Sequence, residues 1–233
     1  MTLLSVCQEV AKVVALTVPT AVAASTTREH VELIALANEM AERIAAGHEW
    51  QKLALKHTLT GDSSTVDFNM PDDYDRMPVD GQVWSSALET PMTHILSLNE
   101  WLGMEVQTFD LVLNAWIIYG DQMHIKPALS DGVTAKFFYQ SNKHIVASNG
   151  TTFKNRFDAD NDSFRLDETL LKLGMIWQWR ANKGVAYDED MVNYETLLAR
   201  KVLRDKGAKT LVVGRQRLPA DVSIAYPQAI IPA

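Results

Sequence analysis

The stretch Asp167-Glu168-Thr169-Leu170-Leu171-Lys172-Leu173-Gly174-Met175-Ile176-Trp177-Gln178-Trp179-Arg180 decides how this chain is read. Aspartate suits a helix N-cap, because its carboxylate accepts from the unpaired amides of the first turn. From Glu168 the residues Leu170, Leu173, Gly174, Trp177 and Ala181 share one face, which predicts a helix to about Asn182, stopped by Lys183-Gly184. Asp188 opens the next helix, where Met191, Tyr194, Leu198 and Val202 recur at three- and four-residue steps. Its last turns hold Arg200, Lys201, Arg204 and Lys206, the sign favoured near a helix C-terminus.

Working outward, the N-terminal part is also helical. Leu3, Val6, Val10 and Val13/Val14 predict an amphipathic helix over about Thr2–Leu16. A cleavable leader is not expected there, since no Lys or Arg stands near Met1 and Gln8, Glu9 and Lys12 interrupt the apolar run. After Pro19, Thr26-Thr27-Arg28-Glu29 fits a capping box, with Leu33, Ile34, Ala37, Met40, Ala41 and Ile44 as the buried stripe of a helix reaching His48–Trp50. Residues 1–52 therefore read as a helical hairpin.

Between the helical parts the texture is that of strands. Residues 53–60 and 65–68 flank the turn Gly61-Asp62, and Val83-Trp84, residues 92–96 and Val133 to Tyr139 are further candidates. Ser97-Leu98-Asn99-Glu100 opens a short helix, and Pro71 to Arg76 reads as a polar turn. The clearest hairpin is Ala115–Tyr119, Gly120-Asp121, Gln122–Lys126. The expected fold is α+β: an antiparallel helical bundle made of N- and C-terminal hairpins (1–52 and 155–208), with a small antiparallel β domain (53–154) inserted. Residues 209–233, broken by Pro219, Pro227 and Pro232, form an extended C-terminal arm.

Composition bounds the function. One cysteine among 233 residues excludes an intramolecular disulfide framework and Cys-rich zinc modules. No run of about 18 apolar residues free of charge offers a membrane span. The net charge is −7, of which residues 200–233 contribute +5 and the remaining 199 residues −12. An acidic body argues against a surface that grips nucleic acid throughout, and the basic end points to protein partners.

Catalytic signatures are sparse. Asp158-Ala159-Asp160-Asn161-Asp162 supplies the first, third and fifth positions of a calcium loop, but Ser163 stands where the sharp turn needs glycine and Thr169 where a bidentate glutamate should close the site. The ordinary reading is an acidic loop leading to the Asp167 cap; a calcium-binding or hydrolytic site at 158–162 is the alternative. His30, His48, His57, His94, His124 and His144 show no metal-ligand spacing, and no glycine-rich phosphate loop is present. Cys7 falls on the apolar side of its helix, as a core residue does. Trp177 and Trp179 are two apart and cannot share one helical face, so one is expected either at a contact or filling a gap. No catalytic, cofactor or metal residue is assigned. The arm is the candidate contact segment, with Leu211, Val213, Ile224, Tyr226 and Ile230 as apolar anchors and Arg215 and Arg217 as charged ones.

Taken together these residues resemble the head-to-tail adaptor (connector) proteins of tailed bacteriophages, those of short-tailed phages above all. The resemblance is carried by Phe157–Asp162, Leu166–Arg180 and Lys183–Asp190 to Tyr194-Glu195. Leu3-Leu4, Cys7–Val10, Leu36–Glu39, Trp50, Pro71–Arg76, Ser97–Trp101 and Ile125–Pro127 add to it. It covers most of residues 1–205, and the arm carries no matching motif. It implies a structural virion protein and not an enzyme, made in the host cytoplasm and placed at the head-tail junction. Copies, usually twelve, form a ring beneath the portal protein and receive the tail nozzle or tail tube protein. Genomic DNA passes through the lumen without specific binding, and neither a cofactor nor a membrane is implied.

Overall fold

A computed structural model describes residues 1–106 and 114–207. The candidate anchors Leu211, Val213, Arg215, Arg217, Ile224, Tyr226 and Ile230, and with them the expected arm, lie outside the described residues. The chain divides into two compact units, one of Met1–Lys56, Pro71–Gly81 and Phe138–Lys206, the other including His57–Met70 and Gln82–Phe137.

The first unit holds α1 (Leu3–Val13), α2 (Arg28–Ala46), α4 (Glu168–Asn182) and α5 (Asp188–Asp205). Thr2 caps α1 and Asp167 caps α4 through its carboxylate, 2.9 Å from the Leu170 amide. The expected capping box at Thr26 does not form: α2 starts at Arg28 with Thr27 as N-cap and no side-chain bond, while Ser25 Oγ accepts from the Thr27 amide.

The bundle of two hairpins is overturned. α4 packs against α1, α2 and α5 and acts as the central helix. The reason lies in its composition: Leu170, Leu171, Gly174, Met175, Ile176 and Trp179 are all buried, more apolar surface than one face provides. α1 and α2 have one buried stripe each and spend it on the shared core. Gly174 makes the crowding at the centre feasible, since a Cβ there would lie 2.6 Å from Met40 Cε and 3.3 Å from Tyr194.

Strands are also more widespread than one small insert. β9 (Ile145–Val146) pairs antiparallel with both β10 (Phe153–Lys154) and β11 (Ser163–Phe164). This sheet feeds Ile145 and Phe164 into the helical core, beside Phe157 and Leu166. The segment expected as a polar turn contains β3 (Tyr74–Arg76), whose Tyr74 and Arg76 pair with Ser141 and Gln140 of β8 (Thr134–Ser141).

The second unit is built on β2 (Asp67–Asn69), β5 (Thr93–His94), β6 (Ala115–Tyr119) and β7 (Gln122–Lys126), in the order β2-β7-β6-β5. The β6–β7 hairpin turns on Gly120 and Asp121, both at positive φ (58° and 61°), as a two-residue turn matched to strand twist requires. β5 joins β6 in parallel, so the sheet is mixed and not purely antiparallel as expected. α3 (Leu98–Val106) buries Trp101 in a cluster with Ile95, Ala115 and Ile117. β4 (Trp84–Ser85) pairs with Lys136 and Ala135 of β8, and β1 spans Ala54–Thr60. No described helix is long and apolar enough to cross a membrane.

Candidate functional site

The acidic loop lies between β10 and β11; Asp162 Oδ2, Asp160 Oδ1 and Asp158 each have partners, and Asp162 Oδ1 is buried without one. Asp162 is 1% exposed, and its Oδ2 accepts from the Asp158 and Ala159 amides, each at 3.0 Å, and from Lys154 Nζ at 2.7 Å. Burial raises its pKa, but the bonds from Lys154 and the two amides outweigh that and hold it below the ordinary carboxylate value. Lys154 also pairs with Asp158. An ammonium thus serves the carboxylates that a bound cation would need. Asp160 turns the other way: its Oδ1 accepts from the Val22 and Ala23 amides at 2.9 and 2.8 Å. The loop backbone completes the clamp, with the Leu3 amide on the Asp162 carbonyl at 2.7 Å and the Leu4 amide on that of Asp160 at 3.1 Å. Two otherwise unpaired amides at the start of α1 are satisfied this way.

The other residues singled out by type also have packing roles. Cys7 is fully buried, and burial together with the nearby Asp160 pushes its thiol up to about 12, far from a nucleophile's range. Trp179 is buried, and Trp177 packs on Tyr187 and Tyr194 with the Arg43 guanidinium 5.7 Å from its ring. The histidines are dispersed. His94 stacks on Trp116 at 3.9 Å, His124 stacks on Tyr119 at 3.7 Å and bonds Asp67, and His57 lies against Phe137. His48 packs on Trp50, and His30 meets Ser25 Oγ at 2.7 Å. Among the described residues no three His, Cys, Asp or Glu side chains converge as a metal-ligand set.

A groove of about 670 Å³ in the first unit is lined by Glu39 and Glu42 of α2, Asp75 of β3, Gln140, His144 and Arg156, among others. Gln140 and His144 are 3% and 5% exposed, yet Gln140 Oε1 and His144 Nε2 have no hydrogen-bond partner. These residues come from separate segments of the chain, and none stands in a motif, so no local signal announces them.

No family model matches the chain, and no curated protein matches it.

Proposed function

We propose that this protein is a structural head-to-tail adaptor of a tailed bacteriophage, a ring-forming connector between the portal protein and the tail. The observation that carries the reading is the use made of residues 157–195, the stretch with the strongest resemblance. There α4 is the packing centre for three other helices, and the 158–162 loop ties down α1 and the 22–23 connection. A segment spent on rigidity suits a load-bearing ring subunit. The calcium or hydrolytic alternative is less well supported, because Asp160 and Asp162 are bonded to backbone amides and to Lys154.

In this reading the arm docks on the portal through Leu211, Val213, Ile224, Tyr226 and Ile230, with Arg215 and Arg217 as charged contacts. The ring, expected to hold twelve copies, offers a platform to the nozzle or tail tube protein while DNA passes through. Light scattering of the full-length chain, alone and mixed with the portal protein of the same phage, tests it. A defined multimeric complex with portal is expected, lost in a Val213→Asp/Ile224→Asp/Ile230→Asp variant. Failure of the unaltered chain to join portal defeats the proposal.

A further inference from the structure

Two carboxylates hold the last turn of α5 to the connection between α2 and β1. Asp205 Oδ2 accepts from the Gln51 amide at 2.9 Å. Glu49 Oε1 accepts from the Val79 amide at 2.6 Å, and its Oε2 accepts from Lys206 Nζ at 3.2 Å. Gly207 follows at φ 76°, the left-handed conformation that ends a helix, so residues 208–233 of the sequence start from this point.

The His48 ring stands inside this attachment. It lies edge-on to Trp50, with ring centroids 5.0 Å apart, and its Nε2 is closed to solvent with no hydrogen-bond partner. Asp205 Oδ2 is 3.7 Å from that nitrogen, beyond hydrogen-bond reach, and both side chains are mostly covered. The other charged groups about His48 are Glu49 beside it in the chain, Lys206 from α5, and Arg76 and Asp75 from β3. Arg76 donates to the His48 carbonyl at 3.2 Å and pairs with Asp75, and Lys206 pairs with Glu49. Asp205 has no cationic partner but His48 among the described residues. A neutral imidazole turns either a lone pair or a distant N–H toward that carboxylate, and neither bonds. An imidazolium carries N–H on both nitrogens and a charge opposite to that of Asp205, so closing the 3.7 Å gap satisfies the buried nitrogen.

We infer that His48 and Asp205 form a proton-operated latch at the root of the C-terminal segment. Protonation of His48 draws the Asp205 carboxylate in and fixes the end of α5 on residues 48–51. Loss of the proton leaves Asp205 with the Gln51 amide alone and loosens the root. Histidine ordinarily takes up its proton between about pH 8 and pH 5, so the latch tightens as pH falls through that range. It goes beyond the adaptor reading, because it governs how firmly residues 208–233 are rooted whatever they bind.

The Gln51 amide reports the latch directly, since it is bonded to the same Asp205 oxygen that faces His48. Hydrogen exchange at single amides of the full-length chain, corrected for the intrinsic effect of pH, is compared at pH 7.5 and 5.5. Protection of the Gln51 amide is expected to rise about threefold or more at the lower pH, the scale of a partly covered ion pair. The rise should vanish in His48→Gln, which cannot take up the proton, and in Asp205→Asn, which keeps an acceptor for the amide but not the charge. No rise in the unaltered chain overturns the latch, and so does a rise that survives in either variant. Without any variant, the nuclear Overhauser contact between His48 Hε1 and the Asp205 β protons should strengthen over the same pH range. A contact that weakens or stays unchanged also overturns the inference.

Discussion

The two units solve the same problem, fixing a chain of modest length, by different means. The first joins distant segments through one large apolar core and polar clamps: Leu3 and Val22 lie some 140 to 160 residues from the loop that holds them, and Asn38 bonds both the amide and the carbonyl of Phe157. The second joins separated segments mainly through strand ladders, β2 on β7 and β4 on β8. Its β6–β7 ladder closes over a two-residue turn, and its rings stack locally, as His124 does on Tyr119. Buried side-chain clamps onto one loop therefore mark the first unit, and backbone ladders the second.

The sharpest way to break this contrast is at Asp162. Replacing it with alanine removes the acceptor for two amides and strands Lys154 beside Asp158. A loss of about 3 kcal/mol or more is expected from such a buried group. Denaturant unfolding read together with site-resolved hydrogen exchange should place the loss in the first unit and leave amides of the β6–β7 hairpin protected. Equal loss of protection in that hairpin would remove the distinction.

Two glycines sharpen it further, because the same change meets different neighbours. At Gly61, in the second unit, a Cβ would lie 2.5 Å from Leu129 Cβ and from the carbonyl oxygens of Leu129 and Ser130. Backbone cannot yield cheaply, so Gly61→Ala should cost about 2–3 kcal/mol. At Gly174 the closest atom is the free end of Met40, and alanine brings a helix-propensity gain of about 1 kcal/mol. Gly174→Ala should therefore change stability by less than about 1 kcal/mol, measured by the same unfolding curves.

The smallest effect expected is that of mild acid. His144 in the first unit is buried with its pKa lowered, so the unfolded chain takes up the proton first. Stability is then present above the unfolded value of about 6.5 and is lost as pH falls below it. His94 in the second unit is lowered in the same direction, again by burial, but is exposed and should count for less. Unfolding midpoints at pH 7.5 and 5.5 should fall with pH, and His144→Gln should flatten the dependence. An unchanged slope in that variant would assign the effect to other groups.

Legibility followed range. The α4 limits were readable because Asp167 and Lys183-Gly184 are local signals, and the β6–β7 hairpin because Gly120-Asp121 demands its turn. β9, β10 and β11 were not readable, since strands of two residues show no alternation. Asp158 to Asp162 reads in the sequence as an acidic loop leading to the Asp167 cap, with a cation site as the alternative, while its partners, Lys154 and the amides of residues 22 and 23, come only from the fold. Glu42, Gln140 and His144 meet only after α2 packs against the β3–β8 region, so their groove was invisible in the linear chain.

By itself the sequence determined the limits of α4 and of the β6–β7 hairpin, the start of α5, the burial of Cys7, and an acidic body with a basic end. Those properties depend on residues within a turn or two of each other. Tertiary structure decided that α4 is the centre of the helices and not one arm of a paired hairpin bundle. The physical reason is that hydrophobic burial has no direction: a helix apolar on several faces is satisfied only when distant segments enclose it, and which ones do so is fixed by shape, as at Gly174, and by the hydrogen bonds of Asp160 and Asp162.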